Sequence, residues 1–435
     1  MTTMHCQFSQ FSNIPTLLAT HFRTLSKRRR TMNPRAFIRW PIVAIVTVCA
    51  VTSVFSADVV TVMDADSGMT SGALLQLTDD KLVIESKQSR RFRTSDLLHL
   101  RFNGRSVQPI QRGSVVLLAN GDRLVAEPTE IDHERIIARW SSFRNLAPVK
   151  IPLETIRATV IQLPQNGTVR DQVIRSLINR QEENDVLDLK NGDRVTGELL
   201  ELDVGNVLLE TAVGKVSIPR HGIRAIGFNP KLISFPQTKG QRSLLTLVDG
   251  SRLTVHKLQL KQNKVLSMKA LFGTPLIVPL SAIVTIQFLG GRVVYLSDLT
   301  RNDYRFTPFL SAAWQMQNDR NVAGGPLRLR GREYAKGLGM HSKSKVSYSL
   351  DGRYRRFHAV VGIDDVTGGK GTVVFAIDVD GERHWTSKLL TGKSPAQSIK
   401  PIDVTGAKNL TLSVAFSQFG DIWDYADWCD AVLVK

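Results

Sequence analysis

Between residues 58 and 290 apolar and polar positions alternate in short runs, the period of strands with one buried face, and the runs recur along the chain. Residues 116–126, 186–197 and 245–255 each read as an apolar strand, an Asn-Gly or Asp-Gly turn and a second strand. Those dipeptides accept positive φ and so close a tight hairpin. Each copy ends in a matching segment, at 151–161, 218–228 and 278–288, and residues 92–102 have the same form ahead of them. Thr70-Ser71-Gly72 likewise echoes Val195-Thr196-Gly197. Pro152, Pro219 and Pro279 stand in the closing segments, where a residue that cannot donate to a ladder suits the start of an edge strand. The pattern predicts four units of about five short strands each, at 58–110, 111–163, 186–229 and 244–290.

The periodicity of these units resembles that of Sm-like or SH3-like barrels, small sheets that close on their own edges. Two connectors interrupt them. Residues 164–185 place Val173, Ile174, Leu177 and Ile178 at helical spacing and predict one short amphipathic helix. Residues 230–243, rich in Pro, Gly, Lys and Ser, read as a linker loop.

Ahead of the repeats, residues 1–57 carry Arg23, Lys27, Arg28, Arg29, Arg30, Arg35 and Arg39, no acidic residue, and an apolar run from 41 to 57. This is the pattern of an export signal, with small residues at Ser53, Ser56 and Ala57 for a peptidase; a retained anchor is the alternative, and would be the chain's membrane contact. Met32 opens a leader of more ordinary length, so the start codon is open between Met1 and Met32. Export places the protein in the periplasm, the cell envelope or outside the cell.

From Tyr295 the composition changes. Four of the six tryptophans, Trp314, Trp385, Trp423 and Trp428, lie in the last 141 residues, and the Gly290-Gly291 step just before offers a break. Phe357, Ala359 and Val361 alternate, as do Val373, Phe375, Ile377 and Val379, and again Leu410, Leu412 and Val414, the mark of a β-sandwich. Aromatic residues on such a domain suit sugars, whose rings offer an apolar C–H face for stacking while their hydroxyls take planar polar partners. Trp314, His341, Asp424, Asp427 and Trp428 are the candidates for this contact. His341 can donate and accept together, or equally serve buried backbone at a loop base. Trp428, beside the terminal strand, reads as either displayed or packed.

Seven segments in order, at 295–299, 324–329, 334–342, 354–365, 373–381, 402–410 and 424–431, resemble the NPCBM family of carbohydrate-binding modules found beside family 98 glycoside hydrolases. The resemblance covers residues 295–435. It implies a galactose-binding-like jelly-roll sandwich, a binding role and a structural calcium ion, for which Asp319 and Asp430 are the ligands by analogy with the fold. The fold class expected is therefore all-β: tandem small barrels followed by a jelly-roll β-sandwich.

Charge adds a second partner class. The chain has 57 Lys and Arg against 39 Asp and Glu, a formal net charge of +18, and loss of the seven leader cations leaves 50 against 39, or +11. Such a surface attracts polyanions, and for an exported chain acidic polysaccharide is more reachable than nucleic acid. Cys6, Cys49 and Cys429 form no metal-binding or redox spacing. No GxSxG, HExxH, P-loop or Rossmann fingerprint is present, and Asp122, Asp193 and Asp249 have an ordinary use in local turns. The sequence thus points to a non-catalytic glycan or polysaccharide binder; the alternatives are a scaffold for other envelope proteins and a binder of acidic polysaccharide through net charge.

Overall fold

A computed structural model describes residues 58–435, apart from 109, 111–112, 237–239, 310–312 and 418–419; the expected leader lies outside the described residues. The described chain is antiparallel β throughout, with a single α-helix, Gly167–Ile178, among the described residues.

The first repeat shows how each unit closes. Val59–Asp64, Met69–Leu77, Lys81–Glu85 and Ser89–Arg93 run as a meander, a 3-10 turn at Thr94–Asp96 redirects the chain, and Leu97–Phe102 returns to pair with the first strand. Alternate residues point inward, so Val60, Val62, Leu82, Ile84, Leu100 and Phe102 are buried in one core. The third and fourth repeats follow the same course, from Asp185–Leu189 to Ile223–Gly227 and from Arg242–Leu247 to Ile283–Leu289. In the second, the long second strand is split into Arg123–Leu124 and Ala126–Asp132.

Two details were not legible in the pattern. The second strand of every repeat slips register once, between Leu74 and Gln76, Pro128 and Glu130, Leu199 and Glu201, and His256 and Gln259. Such a bulge bends the strand, so that its halves pair with different neighbours and a short sheet can close. The prolines also differ from expectation: Pro152, Pro219 and Pro279 end the fourth strand and lead into the 3-10 turn, rather than opening the closing strand. Their fixed φ suits that entry. The turn glycines Gly121, Gly192 and Gly250 have φ of 88°, 96° and 89°, as the hairpin reading requires. Gly72 and Gly197 are needed for space, since a Cβ there would collide with the carbonyl oxygens of Glu85 and Glu210 on the next strand.

Closing strands join the repeats in pairs, the second to the third through Ala158↔Gly227 and the first to the fourth through Thr285↔Arg101. Asp122 accepts from the Asn120 amide at 2.8 Å in its own turn and also joins the second repeat to the fourth: it accepts the Thr254 N–H at 2.7 Å and the Thr254 hydroxyl at 2.8 Å. The Arg123 Nε donates to the Gly250 carbonyl at 2.8 Å beside it. The helix covers the seam of repeats two and three, with Leu177 buried against Val115, Leu117, Val160 and Ala225. Asn166 caps its start by accepting the Val169 N–H at 3.1 Å.

The last third is a sandwich of two antiparallel sheets. One runs Gln317–Asn318, Gly337–His341, Tyr425–Val434, Arg356–Ile363, Gln397–Ser398; the other runs Asp303–Phe306, Ser344–Ser349, Asn409–Phe416, Thr372–Val379, Glu382–Thr386. The alternating apolar residues read from the sequence, among them Phe357, Val361, Phe375, Ile377 and Leu412, fill the space between them. Val293–Tyr295 pairs with the end of the final strand, Val293 opposite Val434. The Gly290-Gly291 step is a tight contact and not an open break, because a Cβ at either glycine would collide with the carbonyl oxygen of Gly240 or Ser95. Leu98, Leu244, Leu289, Tyr295, Val432 and Val434 bury one another there and fasten the sandwich to the first and fourth repeats.

Candidate functional site

The site begins with register. Tyr425, the first residue of the last strand, lies opposite His341, the last of its neighbour. Side chains alternate from there, so Ala426 and Trp428 enter the sandwich core while Tyr425 faces away from it. Trp314 stacks on His341 with parallel ring planes and centroids 4.8 Å apart. Tyr425 tilts against both, at 5.4 and 5.7 Å, and Phe306 meets His341 edge-on at 6.0 Å. Trp423 extends the group, 5.9 Å from Tyr425, with the Lys370 ammonium 5.3 Å from its ring centroid. Trp423 is 41% exposed, and Phe309 and Ile422 are exposed as well. The result is an aromatic platform at one end of the sandwich with a face left exposed among the described residues.

His341 lies beneath this platform. It is only 3% exposed, and its Nδ1–H donates to the Ser342 carbonyl at 2.7 Å. Burial pushes its pKa down, so the ring is neutral and only Nε2 remains, as an acceptor. The donor-and-acceptor role read from the sequence is thus half used by backbone; His341 positions the Trp314 indole. Asp424 is fully buried beside it. Its Oδ2 accepts the Ser342 hydroxyl at 2.6 Å and its Oδ1 the Thr372 N–H at 2.7 Å, which ties the loop after His341 to the other sheet.

Burial pushes the Asp424 carboxyl up to about 6, against those hydrogen bonds. A carboxyl raised in the folded state binds its proton more tightly there than in the unfolded chain, so its stabilising contribution is full near pH 4 and is lost as pH rises through 6. Half-buried His99 and buried His358, both pushed down to about 4, run the opposite way, so the informative quantity is a difference. The stability of wild type relative to Asp424→Asn is expected to fall by about 1–3 kcal/mol between pH 4.5 and 7.5 in urea titrations. A difference independent of pH would show that Asp424 does not titrate in this range.

Trp314, His341 and Asp424 therefore come together, whereas Asp427 and Trp428 do not join them. Trp428 is wholly buried, its ring meeting Phe375 edge-on at 5.1 Å, and it is core. Asp427 is also wholly buried, and burial together with the neighbouring Asp364 raises its pKa well above the usual range. Asp364 in turn accepts the N–H groups of Arg328 and Val366, each at 2.8 Å, and holds the hairpin of Leu327–Leu329 and Arg332–Tyr334 on the sheet. Cys429 packs under that hairpin, and burial pushes its thiol up, so it is unreactive. The residues missed by sequence reasoning are Trp423 and Tyr425. Carrying the period-two alternation of the last strand back to 425 would have turned Tyr425 outward and Trp428 inward.

The expected calcium ligands fare differently. The Lys336 ammonium donates to Asp319 at 2.7 Å and to Asp298 at 2.5 Å, and Asp430 accepts from the Gln287 amide at 3.0 Å. Among the described residues no group of three or more metal-binding side chains converges. A hard dication needs several convergent oxygens, and an ammonium already stands between two of these carboxylates, so this donor set does not fit calcium.

Residues 292–434 match the NPCBM/NEW2 domain. Over 108 residues the chain is 39% identical to a candidate endo-alpha-N-acetylgalactosaminidase from Renibacterium salmoninarum, covering 25% of this chain and 7% of that protein. Over 115 residues the chain is 29% identical to alpha-1,3-galactosidase B of Akkermansia muciniphila, covering 26% of this chain and 14% of that protein. The chain thus corresponds to a small part of each relative. Among solved structures, CBM51 from Clostridium perfringens GH95 in complex with methyl-galactose aligns at 27% identity, covering 33% of this chain and 99% of that one, with a TM-score of 0.30. No helix among the described residues is long and apolar enough to cross a membrane.

Proposed function

We propose that this is an exported, non-catalytic carbohydrate-binding protein whose terminal module takes a sugar ring on the platform of Trp314, Tyr425 and Trp423. The observation that carries the reading is the half-buried Trp314 indole, backed by neutral His341 and flanked by two further rings, on a segment of carbohydrate-binding family. A pyranose stacks its C–H face on such rings, and polar groups at the rim, Lys370 among them, can reach its hydroxyls. Galactose and N-acetylgalactosamine are the first ligands to try, given the names of the relatives. Export rests on the basic leader and apolar run. A non-catalytic role is supported by the use already made of the buried acids: Asp424 and Asp364 hold backbone, and a glycosidase needs two carboxyl groups facing each other across the scissile bond.

Trp314→Ala is expected to weaken glycan binding by the intact chain about 10- to 100-fold, on the scale of aromatic hot spots, with little change in melting temperature. His341→Ala should weaken it less, because it removes only the support of the indole. Titration calorimetry against galactose, N-acetylgalactosamine and their methyl glycosides reads both. Wild-type affinity in Trp314→Ala would move the site elsewhere on the module. Failure of wild type to bind any sugar across a glycan array would favour a scaffold for other envelope proteins.

A further inference from the structure

A second feature lies where the barrels, the helix and the module meet. A cleft with a cavity volume of about 770 Å³ opens there, walled by Arg157 from the second barrel, Arg175 from the helix and Arg320 from the module. Most charges in this cleft are matched. Glu333 pairs with Arg123 at 2.9 Å and Arg252 at 2.6 Å, Asp298 and Asp319 pair with Lys336, and Asp171 pairs with Arg328 at 3.4 Å. Arg157, Arg175 and Arg320 form no ion pair among the described residues, and every Asp and Glu of the chain belongs to those residues.

The three guanidiniums are nonetheless held in place. Arg157 donates from Nε to the Ile178 carbonyl at 3.1 Å and from Nη2 to the Arg180 carbonyl, both at the end of the helix. Arg175 lies along Gly324-Gly325, where a Cβ at Gly325 would meet its Nη2 at 3.4 Å. Its Nε is buried with no hydrogen-bond partner. Arg320 is half-buried; burial lowers its pKa, the Asp319 charge opposes that, and the charges of Arg157 and Arg175 add to the lowering. Elsewhere this chain answers a buried guanidinium with a carboxylate, Arg180 with Glu182 at 3.1 Å and Arg220 with Glu127 at 3.2 Å. Here no carboxylate stands within ion-pair distance, the neighbouring Asp319 being held by Lys336, and planar guanidinium forks are the natural holders of an oxyanion.

We propose that this cleft is an oxyanion-binding site in which Arg157, Arg175 and Arg320 take a sulfate, phosphate or carboxylate group. Its volume accommodates a saccharide unit bearing that group. Trp314, His341 and Tyr425 do not line the cleft, although the Arg175 charge reaches the Tyr425 hydroxyl.

The test is a melting-temperature titration of the intact chain with sodium sulfate and sodium phosphate against sodium chloride at matched ionic strength. A sulfated disaccharide, a uronic acid disaccharide and their neutral parents follow. Sulfate should raise the melting temperature with saturation where chloride does not. Arg175→Gln with Arg320→Gln should raise the apparent Kd at least 10-fold, while the variant melts no lower than wild type without ligand because like charges have been removed. Arg320→Gln alone gives the same reading should the double variant fold poorly. Tighter binding of an acidic disaccharide than of both free sulfate and the neutral parent identifies a glycan substituent as the source; equal binding identifies a free anion. Equal response to sulfate and chloride, or wild-type sulfate affinity in the variants, would overturn the proposal.

Discussion

Glu333→Ala is expected to cost about 3–5 kcal/mol of folding stability at pH 7, the range found when one member of a buried ionic cluster is removed. Arg123 and Arg252 occupy the same place in two hairpins, one after Asn120-Gly121-Asp122 and one after Asp249-Gly250-Ser251, and both end on the Glu333 carboxylate of the module. Arg328 approaches it at 3.6 Å. Without Glu333, Arg123 and Arg252 lose their ion-pair partner and face one another, while Arg328 keeps Asp171, so the loss exceeds what a surface ion pair would give. Burial raises the carboxyl, but the surrounding guanidiniums outweigh it and hold it at about 2. A depressed carboxyl stabilises the fold above its unfolded value of about 4.5, and that contribution is lost as pH falls toward 2. The difference between wild type and Glu333→Ala in urea unfolding should accordingly be flat above pH 5 and shrink below 4.5. A difference under about 1 kcal/mol at pH 7 would mean that the barrels and module are not joined through this residue.

Trp428→Ala should be as costly, about 3–5 kcal/mol, yet leave sugar affinity per folded molecule unchanged. Trp428 is central in its sheet, opposite Leu338 on one side and Val361 on the other, with no exposed surface. Truncation leaves a cavity beside Phe375 that two paired sheets cannot collapse to fill. Denaturant unfolding and calorimetry on the same preparation separate the two effects. A stable Trp428→Ala protein that no longer binds sugar would place this indole in the site after all.

These two residues also mark where the sequence stopped being legible. Trp428 and Trp314 are alike in one dimension, aromatic residues in the aromatic-rich end of the chain. Whether an indole packs or is displayed depends on strand phase, and a shift of one residue in the start of the last strand exchanges the two outcomes. Glu333 carries no signal at all in the sequence, because its partners lie 81 and 210 positions away in different domains. Asp122 was read as a turn residue for the same reason: Asn-Gly-Asp is a local motif, and the Thr254 contact is not local.

The sequence by itself determined what depends on near neighbours: the hairpins at Asn120-Gly121, Asn191-Gly192 and Asp249-Gly250, the helix carrying Val173, Ile174 and Leu177, the inward faces of the sandwich strands, and the resemblance that family matching places at residues 292–434. Turn dipeptides and side-chain periods act over a few residues, so they can be read in one dimension. Only the tertiary structure decided which repeats pair, that His341 lies under Trp314, that an ammonium stands between Asp319 and Asp298, and that Arg157, Arg175 and Arg320 line one cleft. Those outcomes follow from register, bulges and the burial of one surface on another, which bring together residues that no local rule relates.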